Sequence, residues 1–207
     1  MIQIIKQYTN LEPSKNSIEL YQKWEKLFME YNAHTNLMSK NEIPVLFEKH
    51  VIDSLVLNKT NYLKNGIKIC DIGAGGGFPS VILAIFFPDI EIVCVESIGK
   101  KTNFISLVKN ELKLDNLTVI NKRAENIEPL RADILTNRAV GKIEKVWSFS
   151  KKHLKKGGLF ISYKATTSKE EAKIAAEKFK ELKNPEYFPY ALPVSENLTR
   201  ELVIFKL

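Results

Sequence analysis

The sequence predicts an α/β protein: a mostly parallel sheet covered by helices on both faces, preceded by a helical extension. Three observations predict it. From residue 67 onward, short apolar runs alternate with helical patterns, which is the signature of a parallel sheet with crossover helices. The last two apolar runs have no helix between them and are expected to pair antiparallel. Before residue 60, the dominant apolar spacing is helical.

The elements follow in order. Over 14–31, Ile18, Tyr21, Trp24, Leu27, Phe28 and Tyr31 recur at three- and four-residue steps, so they share one helical face, with Ser14 or Ser17 available as a cap. The polar stretch 32–40 reads as a loop, and a second helix is expected over 43–57. His50 and Asp53 are three apart on one face of that helix. They would support a substrate pocket, or His50 would bond Asp53 while docking the helix on the sheet. Asn36 is a further residue of interest in this part. The segment 60–66 closes it, so 1–62 is expected to be a helical extension packed on a core domain spanning 63–207.

In the core domain, 67–72 (IKICDI) and 90–95 (IEIVCV) read as the first two strands, separated by a helix over 79–87. A helix over 98–113 leads to a third strand at 117–120, and 132–135 is the fourth. A helix over 142–155 precedes a fifth strand at 158–163, and a helix over 168–183 precedes strands at 187–192 and 202–205, joined by a polar loop. Trp24 and Trp147 lie on apolar helical faces and are expected in the core. His34 and His153 are isolated and read as surface residues.

At 207 residues with 44% hydrophobic and 27% charged residues, the chain can bury a full core without disulfides or metals. The longest apolar run, Val81 to Phe87, is too short to cross a bilayer, and the first residues lack a secretory pattern. Cys70 and Cys94 sit inside apolar strands and read as buried thiols in a reducing compartment, the cytoplasm. The three His and two Cys have no metal-ligand spacing.

The net charge of +7 is uneven. Residues 1–60 balance seven Lys against seven acids, whereas 140–183 carry twelve Lys against five Glu. Residues 97–123 add a further surplus of four. A local surplus of this kind suits a polyanion, because lysines near phosphates release counterions. Part of the surplus is the solvated face of the helix over 168–183.

Residues 71–78 (DIGAGGGF) place Gly73, Gly75, Gly76 and Gly77 between a strand and a helix. Glycines there permit positive φ and close backbone approach to a ligand. A dinucleotide fingerprint would require glycine at 78, where Phe78 stands. The spacing Gly73-x-Gly75-x-Gly77 after Asp71 suits a loop facing an amino-acid moiety, with Asp71 attracting its ammonium directly or through water. Glu96, at the end of the second strand, stands where a carboxylate accepts hydrogen bonds from ribose hydroxyls. Together these features indicate a Rossmann-like, S-adenosylmethionine-dependent methyltransferase sheet.

Over nearly its whole length the sequence resembles the bacterial glucose-inhibited division protein B family, the N7-guanine methyltransferases of 16S ribosomal RNA. The resemblance is carried by Tyr31-Asn32, Thr35-Asn36-Leu37, Lys49-His50 with Asp53-Ser54-Leu55, and the loop Asp71–Pro79. It continues with Glu96-Ser97, Lys100-Lys101, Phe104, Arg123-Ala124-Glu125, Asn137-Arg138-Ala139-Val140 and Lys164. It implies that Gly73 and Phe78 line the cofactor pocket, that Glu96 holds the ribose and that Ala124 and Glu125 lie at the adenine. Arg138 would lie near the transferring methyl or the methionine carboxylate. The family usually has glycine at the positions of Ser80 and Ala165.

Guanine N7 has an in-plane lone pair and no proton, so its methylation needs no general base and rests on positioning and electrostatics. No Asn-Pro-Pro-Tyr-like sequence follows the fourth strand, which argues against an amino-group methyltransferase, and the cysteine positions argue against a pyrimidine C5 enzyme. Arg123 and Arg138, two of only four arginines, stand at strand ends and are the candidate catalytic residues, donating to guanine O6 or to phosphate. The competing assignment is an ion pair with Glu125 or Asp133. The expected cofactor is S-adenosylmethionine. The expected partner is 16S ribosomal RNA in the small subunit, without DNA or membrane, acted on by a monomer. The competing functions are methylation of another RNA or a small molecule, and a nonenzymatic RNA-binding assembly factor.

Overall fold

A computed structural model describes residues 1–165 and 168–207, with side chains for all of these but 195–199. Strands β1 (Lys68–Ile72), β2 (Glu91–Val95), β3 (Leu117–Ile120), β4 (Ala132–Arg138), β5 (Leu154–Lys164), β6 (Glu186–Leu192) and β7 (Ser195–Lys206) form one sheet in the order β3-β2-β1-β4-β5-β7-β6. β1 to β5 pair in parallel, whereas β7 runs antiparallel to both β5 and β6. The order reverses between β1 and β4, which creates a crevice at the carboxyl ends of the strands.

The core shows why the apolar runs are continuous. Along β2, Ile92 and Cys94 face one apolar cluster while Val93 and Val95 face the other. A strand buried on both sides needs apolar residues at every position. Helices α4 (Ser80–Phe86) and α5 (Gly99–Leu112) cover the first side, and α6 (Ile143–Ser150) and α7 (Ser168–Lys178) the second. Cys70 and Cys94 are buried free thiols, each pushed up in pKa by that burial.

The N-terminal part begins with α1 (Ile2–Thr9), which sequence periodicity did not reveal because only one turn of it, at Ile5 and Thr9, is buried. Helix α2 (Lys15–Thr35) is capped by Ser14, whose hydroxyl accepts from Ser17 N–H. It runs into the expected loop and ends at Asn36, held at φ 51°. Asn36 thus has a structural role, since asparagine tolerates the left-handed C-cap. Trp24 and Phe28 of α2 pack on Phe78, Phe28 also meets Phe104, and Tyr21 meets Phe86. The helix therefore shares one core with the sheet. Among the described residues, no helix is long and apolar enough to cross a membrane.

Several boundaries differ from the sequence reading. The helix expected over 43–57 is a mixed run: a 3-10 turn (Ile43–Val45), a π-helical turn (Leu46–Val51), a short α-helix α3 (Ile52–Leu55) and a second 3-10 turn (Val56–Thr60). β5 starts at Leu154 rather than 158, β7 absorbs much of the expected polar loop, and α7 ends at Lys178. His153 is fully buried, not on the surface: its Nε2 lies 2.9 Å from the carbonyl oxygen of Ala124. Trp24 and Trp147 are in the core as expected.

Candidate active site

The glycine loop leaves the end of β1 and enters α4. Gly73 adopts φ +71°, and a Cβ added there would lie 2.5 Å from Cγ2 of Val140. Only glycine fits this backbone, because a side chain would be both strained and overlapped. Asp71 lies beneath the loop and is fully enclosed. Its carboxylate accepts from Ser80 Oγ at 2.8 Å and from Thr136 Oγ1 at 3.0 Å. Burial pushes its pKa up to about 7. Direct attraction of a ligand's ammonium by Asp71 is therefore corrected: the carboxylate is closed off from the crevice, and it braces the loop from below. Ser80, where glycine was the family expectation, supplies one of the two side-chain donors that make the burial tolerable.

Glu96 is at the end of β2 and is almost wholly buried. Its two carboxylate oxygens accept from Gly75 N–H at 2.9 Å and from Ile98 N–H at 2.8 Å. The residue therefore shapes the glycine loop as well as facing the crevice. Each oxygen keeps a second lone pair for a ligand.

Three cavities lie in a row along the crevice. The first, about 210 Å³, is lined by Gly73, Glu96, Ala124, Glu125, Val140 and Phe149 among others. The second, about 240 Å³, is lined by Gly73, Gly75, Phe78, Lys101, Arg138 and Ala139 among others, and shares Gly73 with the first. The third, about 380 Å³, contains Glu42, Lys49, Lys164 and Arg200 and shares His50, Arg138 and Ala139 with the second.

Around the first cavity, Ala124 and Glu125 sit on a 3-10 turn (Ala124–Asn126) held from behind. His153 fixes the Ala124 carbonyl, and Lys152 Nζ donates to the Glu125 carbonyl at 2.8 Å. Burial lowers the His153 pKa, so the ring is held neutral. Arg123 is exposed on the rim, 3.9 Å from Glu125, and lines the first cavity rather than the two that Arg138 lines. The structure therefore does not bring the two candidate catalytic arginines together, and Arg123 stands beside Glu125, the ion-pair partner weighed as its competing assignment.

β4 runs three residues past the expected end at Leu135, through Thr136 and Asn137, to Arg138. The extension is held by β5, where Arg138 pairs with Tyr163. It carries the Arg138 side chain into the N-terminal part, which largely encloses it. Nε lies 3.1 Å from Asp53 Oδ2, Nη1 donates to the His50 carbonyl at 3.2 Å, and Nη2 bonds His50 Nδ1. The guanidinium stands 5.4 Å from the centre of the Phe78 ring. Asp53 Oδ1 in turn accepts from Tyr190 O–H at 2.6 Å.

The partner of Arg138 is thus Asp53, not Glu125 or Asp133, and His50 and Asp53 meet through it rather than bonding each other. With Nδ1 accepting from Arg138, the His50 proton is assigned to Nε2, which donates to Glu42 at 2.7 Å. Burial, reinforced by the Arg138 charge, lowers the His50 pKa to about 4, so the imidazole is neutral.

Lys164 Nζ donates to the Gly141 carbonyl and pairs with Glu171, each at 2.7 Å. It therefore ties β5 to the loop that carries Val140 over Gly73. Glu42, Thr136 and Tyr190 were missed by sequence reasoning, as were the packing of Val140 on Gly73 and the bracing part of Ser80. Their parts depend on contacts between distant segments, and no local spacing signals them.

The family model described as GidB, rRNA small subunit methyltransferase G, matches residues 17–199. A "Ribosomal RNA small subunit methyltransferase G" from Fusobacterium nucleatum is 41% identical over 154 residues, covering 72% of this chain and 66% of that protein. One of the same name from Lysinibacillus sphaericus is 32% identical over 202 residues, covering 94% and 84%. Among solved structures, a SAM-dependent methyltransferase from Aquifex aeolicus is similar with a TM-score of 0.61 at 14% identity, covering 81% of this chain and 96% of that one. A precorrin-6y C5,15-methyltransferase from Geobacter metallireducens gives 0.53 at 15% identity, covering 82% and 89%. These two likenesses concern the fold.

Proposed function

Because the chain belongs to the rRNA small subunit methyltransferase G family, we propose that it transfers a methyl group from S-adenosylmethionine to N7 of a guanine in small-subunit (16S) ribosomal RNA. The observation that carries this reading is the row of three cavities, with Gly73 as the wall shared by the first two and Arg138 as the wall shared by the last two.

The residues present fit the cofactor. Gly73 lines both of the first two cavities with backbone alone, at a positive φ that suits glycine, and Glu96 offers lone pairs beside the first. Gly73, Gly75 and Phe78 would border the methionine side, Glu96 the ribose, and Ala124 and Glu125 the adenine, whereas Gly77, expected beside them, lines none of the three cavities and packs toward Val81 and Ile105. Asp71 would act from beneath, by bracing the loop. Bound S-adenosylmethionine supplies an electrophilic methyl group. Arg138 would hold the acceptor beside it, with its charge fixed by Asp53 and its plane fixed by His50 and Phe78. No side chain is required as a general base, because guanine N7 carries no proton to remove.

Residues 1–62 would form the acceptor-side wall, since His50 and Asp53 come from them, and 63–207 the methyltransferase domain. Lys122, Arg123 and Lys145 are exposed on the lining of the first cavity, and Lys142 is exposed at the start of α6; these four would meet RNA phosphates. The enzyme would act as a cytoplasmic monomer on assembled or partly assembled subunits.

The test is transfer of labelled methyl to small subunits lacking the modification, followed by digestion to nucleosides. Label in 7-methylguanosine is expected. Label in another nucleoside, or none from a protein that binds the cofactor, would overturn the reading.

A further inference from the structure

We propose that the third cavity receives the target guanine and that Glu42 reads its 2-amino group, so that Glu42 is a specificity-determining residue. This inference rests on the function proposed above. The cavity's volume, about 380 Å³, lies in the range of small-molecule pockets. It adjoins the cofactor-side cavity through His50, Arg138 and Ala139. A guanine entering with N7 toward Arg138 directs its opposite, amino-bearing end away from the cofactor.

That opposite edge of guanine presents two N–H donors beside one acceptor. A carboxylate matches the donors and a cation the acceptor. The cavity offers both, in Glu42 and Lys49, which are 2.7 Å apart. Glu171, another carboxylate of the lining, is already committed to Lys164 and to the backbone N–H of Ile143 at the start of α6. Glu42 is held differently. Oε1 accepts from Lys49 and Oε2 from His50, each at 2.7 Å, which aims the group and leaves each oxygen a lone pair. The Lys49 hydrogen bond, with that of His50, keeps the Glu42 pKa below the usual carboxylate range. A fixed, ionised acceptor of this kind rejects a base that lacks the amino donor.

The experiment compares guanosine with inosine, which keeps N7, O6 and N1–H but lacks the 2-amino group. Small subunits are reconstituted with 16S ribosomal RNA carrying either base at the mapped target. The ratio of kcat/KM for the two is measured for wild type and for Glu42→Gln. Wild type is expected to favour guanosine by about tenfold or more. Glu42→Gln, which is neutral and has only one oxygen to share among His50, Lys49 and the base, is expected to bring the ratio close to one. Equal lowering of both substrates, with the ratio kept, would overturn the proposal and leave Glu42 a positioning residue for His50. A wild-type ratio near one would overturn it too. Absence of any transfer to guanosine would overturn the function itself, and this inference with it. A cofactor-binding titration and a melting curve for Glu42→Gln show whether the variant is folded. If it is not, Glu42→Asp replaces it and is expected to lower the ratio.

Discussion

Arg138, at the end of β4, and Asp53, in α3, form a 3.1 Å ion pair that joins the N-terminal part to the sheet. Both side chains are largely enclosed, at 14% and 7% exposure. The pair does two things at once. It closes the helical segment on the crevice, and it fixes a guanidinium between two cavities. Removing one member of a buried pair leaves the other charge unpaired, and Tyr190 also loses its acceptor. Asp53→Ala is expected to destabilise the fold by about 3 kcal/mol. Urea denaturation checks this, and a loss below about 1 kcal/mol, the level of an exposed pair, would contradict it.

Stability should respond to pH through two groups of opposite sign. His50 has a folded pKa of about 4, below its ordinary value of about 6.5. Between those values the unfolded chain holds a proton that the folded chain lacks, so this contribution is lost as pH falls. Asp71 has a folded pKa of about 7, above its ordinary value of about 3.9. Between those values the folded chain holds the extra proton, so this contribution is lost as pH rises. His50→Gln removes only the first. From pH 6.5 down to 4 the variant should gain stability relative to wild type, by about one proton's worth of slope. Denaturation midpoints at several pH values test it, and parallel curves would contradict it.

Val140 packs on Gly73 closely enough that no Cβ fits between them. Gly73→Ala should therefore weaken S-adenosylmethionine binding, by about tenfold or more, through strain at positive φ and displacement of Val140. Adding Val140→Ala should recover part of the loss, since the two residues touch and their effects should not add. Calorimetric titration of wild type, both single variants and the double variant measures the coupling. Additive losses would show that the overlap is not the cause.

The basic rim gives a salt-dependent prediction. Lys145 is exposed on the lining of the first cavity, and Lys142 is exposed at the start of α6. Replacing both by glutamate should weaken RNA binding. It should also flatten the plot of log affinity against log salt by about 0.7–0.9 for each phosphate no longer neutralised. Lys151 and Lys152 are poorer probes, because Lys151 pairs with Glu181 and Lys152 supports the Glu125 carbonyl. An unchanged slope would place the RNA surface elsewhere.

Much of the frame was legible in the sequence because its signals are local. Alternating strands and helices set the sheet, the glycine spacing set the loop, and strand-end positions put Glu96 and Arg138 at the crevice. The partners were not legible. Nothing near Arg138 in the chain points to Asp53, and nothing near Asp71 points to Thr136, because those contacts exist only after the sheet forms. His153 read as a surface residue because it is isolated in the sequence, yet its ring is buried and holds the Ala124 carbonyl. Asp71 read as a ligand contact because of its place before the glycines, but Ser80 and Thr136 close it off.

The most direct test concerns Arg138, held between the second and third cavities. Arg138→Lys keeps the charge facing Asp53 but loses the planar fork that also engages His50. The measurement is single-turnover methyl transfer to unmodified small subunits, with cofactor affinity and melting temperature determined alongside. The expected result is a folded protein that binds S-adenosylmethionine within a few-fold of wild type and transfers methyl about a hundredfold more slowly. Transfer at the wild-type rate would contradict the assignment and make Arg138 a strut between the two parts of the fold.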